Sequence, residues 1–248
     1  MIKGLFNKIQ IKEFLYPLQV ISNILDPKDD GGIILNINKE TKEINIFTKK
    51  MSIGTILFVK FKDLLNTFEI TDESIGIINI SEFTKYFSVI DDDNTEIEYT
   101  DSKFTIKGVD TEICFNTSDI SLITESKKEF KFSDWLCEFV YDEKFSKLEK
   151  AIKSFINEDF VYIKGDSINN KLSFTVRKSD LDMNKFKFSI DCPIKKDFQI
   201  IAKKDIFNVL TSVNCNNMTI KIAERLFSLE CERENSVMTF FVANYNIA

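Results

Sequence analysis

Apolar residues along this chain recur mainly in short alternating runs, which predicts strands joined by polar turns. Three such runs follow one another at 33–37, 43–47 and 56–59, with 38–42 as the hairpin connection between the first two. A similar series returns at 160–163, 171–176 and 186–190, with 166–170 as its turn. Four segments carry helical spacing instead. One runs near 12–25, where Pro17 predicts a kink, or a regular start only at Tyr16 or Pro17. The second, 81–90, opens on Ser81 as a capping residue and gathers Phe83, Phe87 and Ile90 for packing. The third spans 143–157. The fourth, 203–213, carries Ile206, Phe207, Val209 and Leu210.

The order helix, strands, helix, strands then occurs twice. Ile97, Tyr99 and Phe104 match Ile220, Ile222 and Phe227 at one constant offset (220 − 97 = 123, and likewise for the other two pairs). A fixed offset in matching elements reads as a duplicated domain. The polar stretch 117–131 falls between the copies and reads as a connector. This gives domains at 1–118 and 133–248, with 119–132 between them.

Composition narrows the chemistry. The chain has 248 residues, 44% of them hydrophobic and 29% charged, so it can bury a sizeable core in one large domain or two smaller ones. No run of eighteen apolar residues exists to span a membrane, and the charged N-terminus lacks the apolar core of a signal peptide. The expectation is a soluble cytoplasmic protein. There is no histidine, which removes imidazole bases and most zinc motifs. With seven glycines and one adjacent pair, Gly31-Gly32, neither a dinucleotide fingerprint nor a P-loop is present. No cofactor or metal is implied. The triple Asp91-Asp92-Asp93 could hold Mg²⁺ as in a nuclease, but adjacent residues on a turn point apart, and a solvated turn explains them. Five scattered cysteines (Cys114, Cys137, Cys192, Cys215 and Cys231) without a C-x-x-C pair suit reduced, buried thiols.

Residues 79–122 (NISEFTKYFSVIDDDNTEIEYTDSKFTIKGVDTEICFNTSDISL) resemble the end of the first domain of tailed-phage DNA sliding clamps. Residues 184–208 (NKFKFSIDCPIKKDFQIIAKKDIFN) resemble the second domain's edge strand, its neighbour and its final helix. Together with the duplication, the chain resembles the sliding clamps of phages and of the PCNA type, with the first 75 residues matching by pattern alone. The resemblance implies an α+β fold of tandem duplicated clamp domains, antiparallel sheets outside and four helices on one face. It implies a non-catalytic processivity factor, a head-to-tail homotrimeric ring around duplex DNA, whose partners are a DNA polymerase and a clamp loader.

The resemblance also names candidate residues. On the third helix, Phe145, Leu148, Ala151, Ile152, Phe155 and Ile156 share one face, while Lys147, Lys150 and Lys153 fall opposite. Lys144 projects from the first turn on the apolar side, and Glu149 lies at the edge of the polar face. A lysine face is ordinarily plain solvation, but in a clamp it would meet phosphates. Lys85, Lys203, Lys204 and Lys12 would join it, Lys12 beside the opposing Glu13. A net charge of −6 does not oppose this, because a ring is retained topologically and only its lining need be cationic. The subunit edges would be 111–116 and 185–190, with Ile113, Phe115, Phe186 and Phe188 at the seam or, equally, in the core. A pocket for partner peptides would form from Ile120, Leu122 and Ile123 of the connector with Val242 and Tyr245, unless these merely tack the connector to a sheet. The competing readings are a monomeric clamp-like DNA-binding accessory subunit and a viral structural or adaptor protein of duplicated β-rich domains.

Overall fold

The computed structural model describes residues 2–24, 32–50, 54–65, 68–71, 73–90, 92–123, 132–154, 160–177, 185–203, 207, 213, 215 and 217–243. The chain divides into two compact units. One comprises Met1–Met51, Ile56–Lys128 and Glu232–Met238; the other comprises Ser52–Thr55, Glu129–Cys231 and Thr239–Ala248.

In the first unit β1 (Ile2–Phe6) leads directly into α1 (Lys8–Ile24). The helix begins at Lys8 rather than near Lys12 because Asn7 and Gln10 form a reciprocal cap. Asn7 N donates to Gln10 Oε1 (3.0 Å) and Gln10 N donates to Asn7 Oδ1 (2.8 Å). Pro17 therefore sits inside the helix and does not start it, at the loss of one backbone bond. Burial of Ile11, Phe14, Leu15, Leu18, Val20 and Ile21 along the same helix offsets that loss. Strands β2 (Ile33–Asn38), β3 (Glu43–Lys50), β4 (Thr55–Phe61), β5 (Glu69–Ile70) and β6 (Glu73–Ile77) follow, then α2 (Ile80–Ser88). Its cap is Asn79, whose side chain accepts from Glu82 N (3.1 Å), and Ser81 lies within the first turn. Strands β7 (Thr95–Thr100), β8 (Lys103–Lys107) and β9 (Glu112–Asn116) complete the unit. They form two layers of antiparallel strands, in the orders β5-β1-β7-β8-β9 and β6-β2-β3-β4.

The second unit repeats this plan. Its elements are β10 (Cys137–Tyr141), a single 3₁₀ turn (Glu143–Phe145), α3 (Ser146–Ser154), β11 (Phe160–Asp166), β12 (Lys171–Val176), β13 (Phe186–Asp191) and β14 (Phe198–Lys203). Strands β15 (Asn217–Ile222), β16 (Leu226–Glu232) and β17 (Ser236–Ala243) close the chain's described part. Their orders are β13-β12-β11-β14 and β10-β15-β16-β17, so each strand finds a counterpart in the first unit. The predicted third helix opens as a 3₁₀ turn, and its continuation past Ser154 lies outside the described residues. Of the predicted fourth helix, Lys203 instead closes β14, Phe207 is helical and buried, Val213 is buried, and the remainder lies outside the described residues.

Register confirms the duplication. The β7–β8 turn joins Thr100 to Lys103, and Ala223 N donates to Leu226 O (2.8 Å) at the counterpart turn (223 − 100 = 226 − 103 = 123). All six residues of the predicted match are buried. One sequence expectation fails here. Cys215 and Cys231 are joined as a disulfide, with Cα atoms 5.9 Å apart, because the fold brings together thiols that are remote along the chain. Cys137 and Cys192 are buried free thiols, and Cys114 is an exposed one.

Aromatic rings fill the first unit's core. Phe83 on α2 meets Phe87 (4.6 Å between ring centroids), Phe115 (5.1 Å), Phe104 (5.5 Å) and Phe14 (6.4 Å). It thereby ties α2 to α1, β8 and β9 at one point. Phe83→Ala should cost about 3–5 kcal/mol of stability, by lost transfer energy plus a cavity. Urea unfolding followed by circular dichroism measures it, and a loss below about 1 kcal/mol would show that the ring is not a core anchor.

Candidate DNA interface and subunit edges

Helix α3 separates its faces as its sequence spacing requires. Phe145, Leu148, Ala151 and Ile152 are buried, whereas Lys147, Lys150 and Lys153 are exposed. Phe145 anchors the helix start by stacking on Tyr141 (4.6 Å) and Phe139 (5.3 Å). The nearest acid on the helix, Glu149, accepts a hydrogen bond from the Tyr141 hydroxyl. Its charge is thus engaged by a half-buried phenol rather than by a lysine of the exposed face. Lys144 is exposed and stands 3.7 Å from Asp142, a surface pairing of small energetic weight.

Lys85 is exposed in the last turn of α2, and Lys12 is exposed on α1. The neighbouring Glu13 does not oppose Lys12 as its position in sequence suggests. Arg233, in the turn between β16 and β17, donates to both Glu13 oxygens through Nη2 (2.6 Å) and Nε (3.2 Å). Its guanidinium also lies 3.9 Å over the Tyr16 ring. Sequence reading missed Arg233, since nothing local links residues so far apart. Lys203 closes β14, and Lys204 lies outside the described residues.

The two predicted edges are edges. β9 ends its sheet order in the first unit, and β13 ends its own in the second. Each therefore leaves one row of backbone donors and acceptors facing away from its sheet. Phe115 of β9 is buried against Phe83 and Tyr86, and Ile113 is half-exposed. Phe188 of β13 is half-buried, with its ring 5.3 Å from Phe145, and Phe186 is half-exposed. Phe115 and Phe188 thus serve the core while standing on an edge strand.

The connector begins by pairing with β6, where Ser118 N donates to Gly76 O (2.8 Å). A side chain at position 76 would collide with Ser118 O at 2.5 Å and Ile123 Cδ1 at 2.9 Å, so glycine permits this approach. A 3₁₀ turn, Ile120–Leu122, follows and exposes Ile120 (44%) and Leu122 (68%), while Ile123 is buried (7%). Val242 is buried within β17, and Tyr245 lies outside the described residues. Of the triple aspartate, Asp91 lies outside the described residues. Asp92 accepts from Val109 N (3.1 Å), which commits its carboxylate to the β8–β9 turn. Among the described residues no helix is long and apolar enough to cross a membrane.

No family model and no curated protein matches the sequence. The fold, by contrast, has close counterparts among solved structures. PCNA of A. fulgidus, bound to the C-terminal region of FEN-1, superposes over 100% of both chains with a TM-score of 0.77 at 14% identity. PCNA of Entamoeba histolytica covers 99% of each chain with a TM-score of 0.75 at 13% identity. The beta clamp of Helicobacter pylori, bound to a DNA ligase peptide, matches 99% of this chain and 67% of its own, with a TM-score of 0.67 at 17% identity. The chain therefore has the DNA sliding-clamp fold, built from tandem copies of the clamp domain.

The 3₁₀ turn of the connector should respond to pH through its cap. Asp119 caps it by accepting from Ser121 N (2.8 Å), and that backbone bond holds its carboxyl below the usual aspartate range. A depressed carboxylate pKa stabilises the folded turn above the ordinary value of about 3.9, and the contribution is lost as pH falls through the lower folded value. Amide exchange at Ser121 should accelerate relative to its neighbours as pH falls below the ordinary aspartate range, and Asp119→Asn should abolish that pH dependence. An unchanged profile in the variant would assign the effect to another group.

Proposed function

We propose that this chain is a sliding clamp, one subunit of a head-to-tail homotrimeric ring that encircles duplex DNA and tethers a DNA polymerase. Its domains are then 1–118 and 133–248 with the connector at 119–132. The observation that carries the reading is the full-length fold match to PCNA together with two unlike free edges, β9 and β13.

β9 ends a sheet of the first unit and β13 ends a sheet of the second, so pairing β9 of one copy with β13 of the next is heterologous, the kind of contact that closes a ring. Ile113, Phe115, Phe186 and Phe188 line that seam.

DNA is held by Lys147, Lys150 and Lys153 of the third helix and Lys144 of the turn before it, with Lys85 and Lys12 of the other helices and Lys203 and Lys204 after them in the chain. Such contacts carry no base readout and leave the ring free to move along any sequence. Partner peptides dock at the connector through Ile120, Leu122 and Ile123, with Val242 and Tyr245. That PCNA of A. fulgidus binds the C-terminal region of FEN-1 and the beta clamp of H. pylori a DNA ligase peptide supports a peptide as the partner. A clamp loader and other replication proteins would use the same pocket, in the cytoplasm of a host cell if the chain comes from a tailed phage. The protein itself performs no catalysis in this reading.

Light scattering on a sizing column should give a species of three times 28.8 kDa. A strict monomer at high concentration would favour the accessory-subunit reading. With the ring established, replacing Lys147 and Lys150 by Gln should cut clamp-stimulated synthesis on a primed circle, with assembly unchanged. Unaltered synthesis would remove α3 from the DNA surface.

A further inference from the structure

Cys137 opens β10 and Cys192 follows the last residue of β13, so the two cysteines belong to the outermost strands of different sheets in the second unit. The fold nevertheless brings them together. Ile194 bridges to Cys137, and Lys195 N donates to Leu136 O (2.9 Å), which lays the segment after β13 along β10. Asn170, in the β11–β12 turn, holds the same segment from the other direction. Its carbonyl accepts from Cys192 N (2.8 Å) and its side chain from Ile194 N (3.2 Å). Cys192 Sγ lies 3.4 Å from the carbonyl of Glu138, the residue after Cys137, and the two thiols are within hydrogen-bonding reach of each other. That mutual contact holds the Cys192 thiol below the usual range and pushes the Cys137 thiol up. Both side chains are buried, at 4% and 2% exposure. Two thiols fixed face to face by backbone bonds on both sides meet the first demand of a disulfide, proximity without backbone movement.

We propose that Cys137 and Cys192 are a peroxide-sensitive pair whose disulfide staples the two sheets of the second unit together. The oxidant is hydrogen peroxide, which is small and uncharged and so suited to a buried site. The Cys192 thiolate attacks one peroxide oxygen, the O–O bond breaks, and the departing hydroxide takes up the proton that Cys192 gave. Cys192 is then a sulfenic acid, and one water has left. The Cys137 sulfur attacks the Cys192 sulfur, the S–O bond breaks, and hydroxide leaves with the Cys137 proton as a second water. Each sulfur has lost one electron and the peroxide has gained two. The disulfide closes a loop of 55 residues (192 − 137 = 55), long enough to constrain the unfolded chain strongly. This staple does not depend on the sliding-clamp reading.

The test uses the full chain carrying Cys114→Ser, which removes the exposed thiol. The folded protein is treated with hydrogen peroxide, digested without reductant and read by mass spectrometry. The expected product is a linked pair of peptides carrying Cys137 and Cys192, two hydrogens lighter than the free pair and separated again by dithiothreitol. Peptides joined through Cys215 and Cys231 have a different mass and are told apart from it. Urea unfolding of the same samples, followed by circular dichroism, should show a higher midpoint after oxidation. Cys192→Ala in this background should show neither the link nor the rise. Each protein is compared with itself before and after peroxide, so any folding cost of the substitution cancels. Three results overturn the proposal: no Cys137–Cys192 link, a link that forms only once urea has unfolded the chain, or a link that leaves the midpoint unmoved.

Discussion

The packing of Phe83 is the constraint on which the first unit depends. Its ring touches residues from α1, β8 and β9 as well as its own helix, so these elements cannot take their places independently. Two of its partners have further consequences. Phe115 lies on the edge strand β9, so the same contact that fills the core sets the orientation of the edge. Phe14 sits one residue from Glu13, which holds Arg233. The second unit solves the problem with other rings. Phe174 on β12 is within 6.4 Å of Phe139, Phe145, Phe188 and Phe207, and Phe188 is again an edge residue. In both units an aromatic on the outermost strand reaches back under a helix. An edge anchored this way is tied to its own core, which suits the unpartnered edge that the proposed ring requires.

Duplication carries the same physics through both halves while allowing local change. The first hairpin of each sheet keeps its offset, but the second does not: β8 turns at Gly108 to Thr111, β16 at Arg233 to Ser236 (233 − 108 = 236 − 111 = 125). β16 is correspondingly longer than β8, seven residues against five. The longer hairpin is what carries Arg233 out to Glu13. An extension of a copied element has thus produced a charged contact that its counterpart lacks.

Much of this was legible in the sequence because it depends on alternation. The hairpins at 38–42 and 166–170, the buried face of α3 and the edge strands β9 and β13 follow from which residues alternate and where polar turns fall. The helix starts were misread for a specific reason. Pro17 and Ser81 drew the reading inward, while the signals that decide the starts were Asn7 with Gln10 and Asn79 with Glu82. Each is an asparagine followed three residues later by a long acceptor. Those signals were available. Contacts such as Arg233 with Glu13, Cys215 with Cys231, and Asp92 with Val109 were not, because each joins separate elements and leaves no periodic trace. An exposed lysine face on one helix can therefore be read from spacing, but contacts that join separate elements cannot.

Charge placement reconciles an acidic chain with the DNA surface of the proposed clamp. Acidic side chains dominate the count, yet on α3 the one interior acid is taken by Tyr141, and on α1 the acid beside Lys12 is taken by Arg233. In both places a carboxylate is engaged by a neighbour from another element, which leaves the adjacent lysines as the outward charge. The long-range field of a net-negative surface is screened within about 8 Å at physiological salt, whereas lysines meeting phosphates act at contact distance. In the proposed clamp a few exposed lysines would give weak, interchangeable contacts that lose strength as salt rises. Weakness is what movement along DNA requires, since each contact must break for the next to form. In the proposed ring, retention would come from geometry, through the edge strands β9 and β13.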